Sequence, residues 1–236
     1  MRLDKYILQK FNLKSRTYAE NLVLTNCVKV DGSVVTKPSF DVDDSNDVEI
    51  LNDEGFASQG AYKLEEAFLR FDLDVEGKNC IDLGCSNGGF SDVLLRRGAG
   101  HIIAVDVAEC ALQKTLLDSG KIEFLRANAR QLPLDDKQFD FATGDLSFIS
   151  LTYVLSEVFR VLKNGGEAVM LVKPQFELDK SSLDKNGIVK TEKLRERALA
   201  SVKSFASQAG FEILNVATSP IRYQTKNVEY LLWLKK

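Results

Sequence analysis

Two residues that could act on a proton stand at the ends of apolar runs in this chain. Lys173 closes Ala168-Val-Met-Leu-Val172 and precedes Pro174, and Asp145 follows Phe139-Asp-Phe-Ala-Thr-Gly144. If the two runs are strands of one parallel sheet, both residues reach its carboxyl edge, where α/β proteins place their ligands. A lysine there suits a hydroxyl acceptor, which is a poor nucleophile until it is deprotonated or polarised. Burial or a neighbouring cation would ready the lysine by lowering its pKa. Lys63 and Glu229 are further candidates for the same site. An Asn/Asp-Pro-Pro-aromatic turn, which would serve an amine acceptor, is absent after the fourth strand, where the residues read Asp145-Leu-Ser-Phe148. No cysteine lies near that turn to attack a pyrimidine ring. His101 is the only histidine, so Ser-His or Cys-His catalysis would rest on it alone. Its place at a strand start, in Gly-Ala-Gly-His101-Ile-Ile, reads as structural.

A second constellation precedes these residues. The strand-like Cys80-Ile-Asp82-Leu83 runs into Gly84-Cys-Ser86-Asn87-Gly88-Gly89, and a helix begins after Phe90. Glycines at such a turn let backbone approach a ligand, and the helix start presents free N–H groups. The spacing G-x-x-x-G-G departs from the G-x-G-x-x-G of dinucleotide sites, which argues against an oxidoreductase. It suits S-adenosyl-L-methionine, which has no phosphate and would lay its amino-acid end over the turn. Asp106, followed by Val107, closes the next strand, where its carboxylate can accept both ribose hydroxyls. Asn128 and Ala129 follow the third strand, placed to flank adenine. Asp82, Gly84, Ser86, Asn87, Gly88, Gly89, Phe90, Asp106, Val107, Asn128 and Ala129 are therefore the expected cofactor residues.

The elements that must position these groups alternate strand and helix, which predicts a Rossmann-like α/β domain over 61–236 with a doubly wound parallel sheet. Helices are expected around Ala111 to Leu117, from about Ile149 to Lys163, and from Thr191 to Ala209, with two closing strands in EILNVATS and VEYLLWLK. Ahead of this, residues 1–50 read as a small α+β module. Leu3, Tyr6, Ile7 and Phe11 recur at helical spacing, and Ser15 is placed to cap a second helix carrying Ala19, Leu22 and Val23. Val28 and Val30 lead into an Asp31-Gly32 hairpin turn towards Val34 and Val35. The polar, Gly-containing stretch 51–60 is read as a linker.

Composition bounds the function classes. The chain has 236 residues, 44% hydrophobic and 28% charged, enough for a substantial core. No apolar run approaches the roughly 20 residues that span a bilayer. MRLDKYILQK lacks the pattern of a signal peptide, so the expected location is cytoplasmic. The four cysteines form no C-x-x-C pair, so no metal site and no disulfide framework is expected, and the thiols should be buried and reduced. The net charge is −3, yet residues 1–40 hold seven Lys or Arg against Asp4, Glu20 and Asp31, whereas 41–54 hold seven acids and no base. A basic head of this kind suits one RNA-facing side.

Arg2-Leu-Asp4, Ser15-Arg16 with Ala19 and Leu22, Val28-x-Val30-x-Gly32 and Lys37-Pro38 together resemble the small αL-type RNA-binding domain first described in a ribosomal small-subunit protein. That resemblance implies RNA phosphate contacts from Arg2, Lys5, Lys14, Ser15, Arg16 and Lys37. Essentially the whole chain resembles the TlyA (haemolysin A) group of FtsJ-like ribose 2′-O-methyltransferases. The matching strings are Lys63-Leu64, Asp82 to Asp92, Ala104 to Val107, Asp145-Leu-Ser-Phe-Ile-Ser-Leu151, Lys173-Pro-Gln-Phe-Glu177, Gly187-Ile-Val189, Ser219-Pro-Ile221 and Asn227-Val-Glu-Tyr-Leu231. The resemblance implies a Lys-Asp-Lys-Glu tetrad of Lys63, Asp145, Lys173 and Glu229. Lys173 would activate the 2′-hydroxyl, Asp145 and Lys63 would set its pKa and orientation, and Glu229 would complete the network. It further implies cytidine in ribosomal RNA as substrate, within an assembled ribosomal subunit. The chain departs from the family at Ser58-Gln-Gly-Ala61, where Ser-Arg-Gly-Gly is usual, at Asn87 in place of Thr, and in the glycine-free loop 222–226. A non-catalytic ribosome assembly factor and a membrane-active haemolysin are the alternatives.

Overall fold

The computed structural model describes residues 1–13, 15–24, 27–50, 55–58, 60–220 and 227–236. The N-terminal unit contains α1 (Leu3–Lys10), α2 (Arg16–Leu24) and the strands β1 (Val28–Val30), β2 (Ser33–Val34) and β3 (Val48–Ile50). The strands form an antiparallel sheet in the order β2-β1-β3. Asp31 and Gly32 turn between β1 and β2 with φ of 51° and 77°, the doubly positive geometry that favours Asp-Gly in two-residue hairpins. Leu3, Ile7, Ala19, Leu22, Val23 and Val28 are fully buried and form this unit's own core. The Ser15 hydroxyl accepts the Tyr18 N–H at 3.1 Å and caps α2.

The larger unit follows with α3 (Gly60–Phe71), β4 (Asn79–Leu83), α4 (Gly89–Arg96), β5 (His101–Asp106), α5 (Lys114–Leu117), β6 (Ile122–Arg126) and β7 (Phe139–Gly144). It continues with α6 (Leu155–Val161), β8 (Leu162–Val172), α7 (Pro174–Glu177), α8 (Glu192–Gln208), β9 (Glu212–Thr218) and β10 (Tyr230–Lys235). The strand order is β6-β5-β4-β7-β8-β10-β9. β6, β5, β4, β7 and β8 run parallel, and β10 pairs antiparallel with both β8 and β9. The order reverses at β4, which pairs with β5 on one side and β7 on the other. Such a switch point opens a crevice at the carboxyl ends of the strands. Because both sheet faces are covered, the strands read as nearly continuous apolar runs. Phe68, Phe71, Val93 and Leu94 pack one face, and Leu155, Val158, Val202 and Ala206 pack the other.

Four expectations need correction. The helix expected from Ile149 to Lys163 is a 3-10 turn at Leu151–Tyr153 followed by α6, and β8 already begins at Leu162. Leu162 pairs with Phe139, so pairing with β7 overrides the helical reading just before Asn164-Gly165-Gly166. The helix around Ala111 to Leu117 starts only at Lys114, because the segment before it wraps the cofactor turn: Ala108 N–H donates to Asp106 Oδ1 at 3.0 Å. Residues 55–58, read as linker, are docked on the larger unit. Phe56 is buried, Ala57 N–H donates to Asp92 Oδ2 at 2.8 Å, and the Gln113 side-chain amide donates to the Ala57 carbonyl at 2.9 Å. Residues 51–54 of that stretch, and Gln59, lie outside the described residues. The thiols also divide: Cys80 and Cys85 are buried, Cys27 is half-buried, and Cys110 is exposed.

Candidate active site

Four elements bring the lysine and carboxylate candidates to one spot. Lys63 lies in the first turn of α3, Asp145 follows β7, Lys173 follows β8, and Glu229 immediately precedes β10. Lys173 Nζ is 2.6 Å from Asp145 Oδ1, Lys63 Nζ is 3.2 Å from Asp145 Oδ2, and Lys63 Nζ is 2.8 Å from Glu229 Oε2. The chain of groups therefore runs Lys173–Asp145–Lys63–Glu229, with basic and acidic side chains alternating. All four side chains are at most 19% exposed, so the alternation of sign is what makes their burial tolerable. Burial pushes the Lys63 ammonium down, but Asp145 and Glu229 outweigh it and raise its pKa. Burial likewise pushes Asp145 up, and Lys63 and Lys173 more than reverse this. Lys63 is thus a fixed cation and Asp145 a fixed anion. Lys173 Nζ also donates to Ser147 Oγ at 2.8 Å.

The glycine turn lies beside this cluster. Gly84 N–H and Cys85 N–H donate to the Val105 carbonyl at 2.8 and 3.0 Å, holding the turn to β5. Gly84 has a φ of 78°, and a Cβ there would come within 3.0 Å of the Asp145 carbonyl oxygen. The missing side chain is what lets the turn and the Asp145 segment approach. Ser58, Gly60, Gly84, Ser86, Gly89 and Phe90 line a cleft of about 190 Å³ that ends on Asp145, Ser147 and Lys173. Asp106 accepts Ser86 N–H at 3.0 Å through Oδ2 and Ala108 N–H at 3.0 Å through Oδ1. A carboxylate offers about four acceptor positions, so it keeps capacity for a diol. Val107, Asn128 and Ala129 line a second, larger groove of about 1150 Å³ together with Ser147, Phe148 and Tyr153. Asn128 Oδ1 already accepts the Arg130 N–H at 3.0 Å.

Asp82 is placed differently from the other expected cofactor residues. It is fully buried behind the turn, with Oδ2 accepting from Ser91 Oγ at 2.7 Å and Oδ1 from Thr143 Oγ1 at 2.9 Å. Burial raises its pKa to about 6, against the opposing effect of those two hydroxyls. Asn87 is exposed, and Gly88, with a φ of 89°, precedes α4. Lys63 and Glu229 stand among the candidates in the sequence, but nothing in local spacing joins them, and their roles come only from the family resemblance. Ser147, Ser58 and Gly60 were not singled out as site residues, although Ser147 sits two positions after Asp145 within a quoted string. His101 is half exposed at the start of β5, 4.0 Å from Glu123.

In the N-terminal unit the expected RNA contacts separate. Arg2 and Arg16 both donate to the buried Asp4, each at 3.0 Å, and Arg16 is 3.2 Å from Glu20. Arg16 thus ties α2 to α1 through Asp4, and Arg2 reaches α2 at Glu20, 3.8 Å away, while the two keep 48% and 41% exposure. Lys5 and Lys37 are exposed. Lys14 and the loop 222–226 lie outside the described residues.

Among the described residues, no group of three or more His, Cys, Asp or Glu could hold a metal, and no helix is long and apolar enough to cross a membrane. Residues 56–236 match the model of the FtsJ-like methyltransferases, and residues 1–48 match that of the S4 domain. The chain is 34% identical to the Hemolysin A of Brachyspira hyodysenteriae over 98% of each chain. It is 36% identical to the 16S/23S rRNA (cytidine-2′-O)-methyltransferase TlyA of Mycobacterium tuberculosis, over 99% of this chain and 89% of that one. A solved structure of a hemolysin candidate from Streptococcus thermophilus, 33% identical, superposes with a TM-score of 0.74 and covers 100% of this chain and 88% of that one. With its buried Lys-Asp-Lys-Glu chain beside a glycine turn and an S4 unit ahead of it, the chain belongs to the TlyA (haemolysin A) family of FtsJ-like methyltransferases.

Proposed function

We propose that this protein transfers the methyl group of S-adenosyl-L-methionine to the 2′-hydroxyl of a cytidine in ribosomal RNA, within a ribosomal subunit in the cytoplasm. One observation carries the reading: Ser147, bonded to Lys173, lines both the small cleft and the large groove. A methyl donor spanning the cleft and the Val107, Asn128 and Ala129 wall of the groove, and an acceptor hydroxyl entering along the rest of the groove, would therefore meet at Lys173. The cleft suits the cofactor because Gly84 and Gly89 bring no side chain into it, and because Asp106 retains acceptor capacity at its rim. When bound, the cofactor supplies an electrophilic methyl carbon. For this step Lys173 enters as the neutral amine and takes the hydroxyl proton as the oxygen attacks; the methyl–sulfur bond would break to leave a neutral thioether, and Asp145 balances the ammonium that results. Lys63 holds Asp145 in place, and Glu229 holds Lys63. Lys5 and Lys37, with the exposed parts of Arg2 and Arg16, supply the S4 unit's charge for RNA phosphates. The cytidine assignment leans on the similarity to the mycobacterial enzyme.

The test is incubation of the protein with methyl-labelled cofactor and, separately, small subunits, large subunits and naked ribosomal RNA, followed by digestion to nucleosides. Label in the ribose of cytidine supports the proposal. Label confined to a base, or cofactor binding without transfer to any RNA, defeats it.

A further inference from the structure

Two strings quoted from the sequence, Asp145 to Leu151 and Lys173 to Glu177, hold more polar groups than methyl transfer has used so far. In the fold they lie side by side and are clasped at both ends. At one end Lys173 Nζ meets Asp145 Oδ1 at 2.6 Å and Ser147 Oγ at 2.8 Å. At the other, Glu177 Oε1 accepts the Leu151 N–H at 2.9 Å, and Oε2 accepts the Ser150 hydroxyl. Ser150 Oγ in turn accepts the Thr152 N–H at 3.2 Å, which caps the 3-10 turn that follows.

Between the two clasps the backbone is unusual. Phe148 has a φ of 64°, a left-handed conformation that is strained for a non-glycine residue and persists only where the surroundings hold it. Its ring is 90% exposed yet lies 5.2 Å from the ring of Phe176, which sits between Lys173 and Glu177. The strained residue is thus held from both sides by one short segment, α7 with the lysine before it. Glu177 is half-buried, and among the described residues its carboxylate forms no ion pair; the groups it holds are a hydroxyl and a backbone N–H. Burial raises its pKa against those two bonds. A carboxylate kept there has a structural object, and that object is the 145–151 loop.

We infer that Glu177 is a positioning residue for methyl transfer: by fixing Ser150 and Leu151 it holds the 145–151 loop in the conformation that sets Ser147 on Lys173 Nζ. Glu177 is itself part of the groove wall, and its role is exerted through Ser147 rather than on the reacting oxygen. The inference rests on the proposed transfer to a ribose hydroxyl for its kinetic readout alone.

The experiment compares wild type with Glu177→Ala, Glu177→Gln, Ser147→Ala and the double variant Glu177→Ala/Ser147→Ala. Single-turnover transfer to ribosomal subunits and hydrogen–deuterium exchange of peptides spanning 146–151 are the two readouts. Misplacing a catalytic group by about 1 Å costs up to ~10²-fold, so Glu177→Ala is expected to slow transfer by about 10–100-fold with the KM for cofactor unchanged. The Leu151 amide should lose protection in the same variant. Glu177→Gln, whose amide oxygen still accepts the Leu151 N–H and whose nitrogen can donate to Ser150, should restore both within about threefold. Because Glu177 acts through Ser147, the double variant should be no slower than the slower single variant. Wild-type kinetics with Glu177→Ala, multiplicative losses in the double variant, or a defect confined to the KM for RNA would overturn the inference. If wild type transfers to no RNA, the functional reading fails, while exchange at Leu151 still decides whether Glu177 holds the loop.

Discussion

Lys173 Nζ sits 2.6 Å from Asp145 Oδ1, each residue just beyond the end of one of two adjacent parallel strands. The pairing gives the lysine a fixed anion on one side while Ser147 Oγ accepts a hydrogen from Nζ. Replacing Lys173 by Ala should lower transfer by about 10²–10⁴-fold, the range for loss of a general acid–base group, with cofactor binding retained. Lys173→Arg separates charge from proton transfer, since a guanidinium keeps the pair with Asp145 but cannot be deprotonated. Both variants should be inactive in the labelled-methyl assay. Wild-type rates in the arginine variant would reduce Lys173 to a cation.

Asp145 is the anion shared by two lysines, so its loss leaves Lys63 and Lys173 facing each other with Glu229 alone to balance them. Breaking a buried pair in this way costs about 3–5 kcal/mol. For a chain of this size that corresponds to a fall in melting temperature on the order of 10 °C. Thermal unfolding of Asp145→Asn, followed by far-ultraviolet circular dichroism, checks this. An unchanged midpoint would mean that water, not Asp145, compensates the lysines.

The two halves of the site differ in how far they could be read from residues alone. Gly84 to Gly89 announces itself, because a strand-to-helix turn with glycines has few other uses, and Asp106 follows at the next strand end. The Lys173–Asp145 pair is also legible once the runs before them are taken as neighbouring strands. Lys63 and Glu229 are not, because α3 precedes the sheet and β10 closes it, so only the antiparallel insertion of β10 beside β8 brings Glu229 to Lys63. Local pattern misled in two places. Ile149 to Lys163 has helical apolar spacing, yet pairing of Leu162 with Phe139 claims its end for β8. The stretch before Lys114 has helix-forming residues, but its backbone is engaged by Asp106 and its Gln113 side chain by Ala57. Asp82 was expected at the cofactor because of its place in the motif, and no spacing rule shows that Ser91 and Thr143 would occupy its oxygens.

Gly88 marks where the cofactor turn meets the 108–116 segment. It has a φ of 89°, and a Cβ there would fall 2.5 Å from Leu116 Cδ1 and 2.8 Å from Leu112 Cδ2. Gly88→Ala therefore combines backbone strain with displacement of two leucines that cover the turn. We expect it to weaken cofactor binding by at least about tenfold in isothermal titration, through that displaced segment. Leu116→Ala in the same background should recover part of the loss by making room. Full affinity in Gly88→Ala alone would show that the segment yields freely.

Two buried carboxylates should drive stability in opposite directions with pH. Asp4 is pushed up by burial, but its hydrogen bonds from Arg2 and Arg16 hold it at about 2, below its ordinary 3.8. The unfolded chain then binds more protons than the folded one between those values. Its contribution is thus full above about pH 4 and is lost as pH falls towards 2. Asp82 is held up at about 6 by burial, so the folded chain binds the extra proton. Stability from this group is greatest below about pH 4 and declines as pH rises to about 6, after which the loss is constant. Asp82→Asn, which keeps partners for Ser91 and Thr143, should flatten the melting temperature over that upper window and leave the acid limb intact. Asp4→Asn should do the reverse, removing part of the acid limb and sparing the upper window. A profile of Asp82→Asn that still declines between about pH 4 and 6 would place the titrating group elsewhere than behind the cofactor turn.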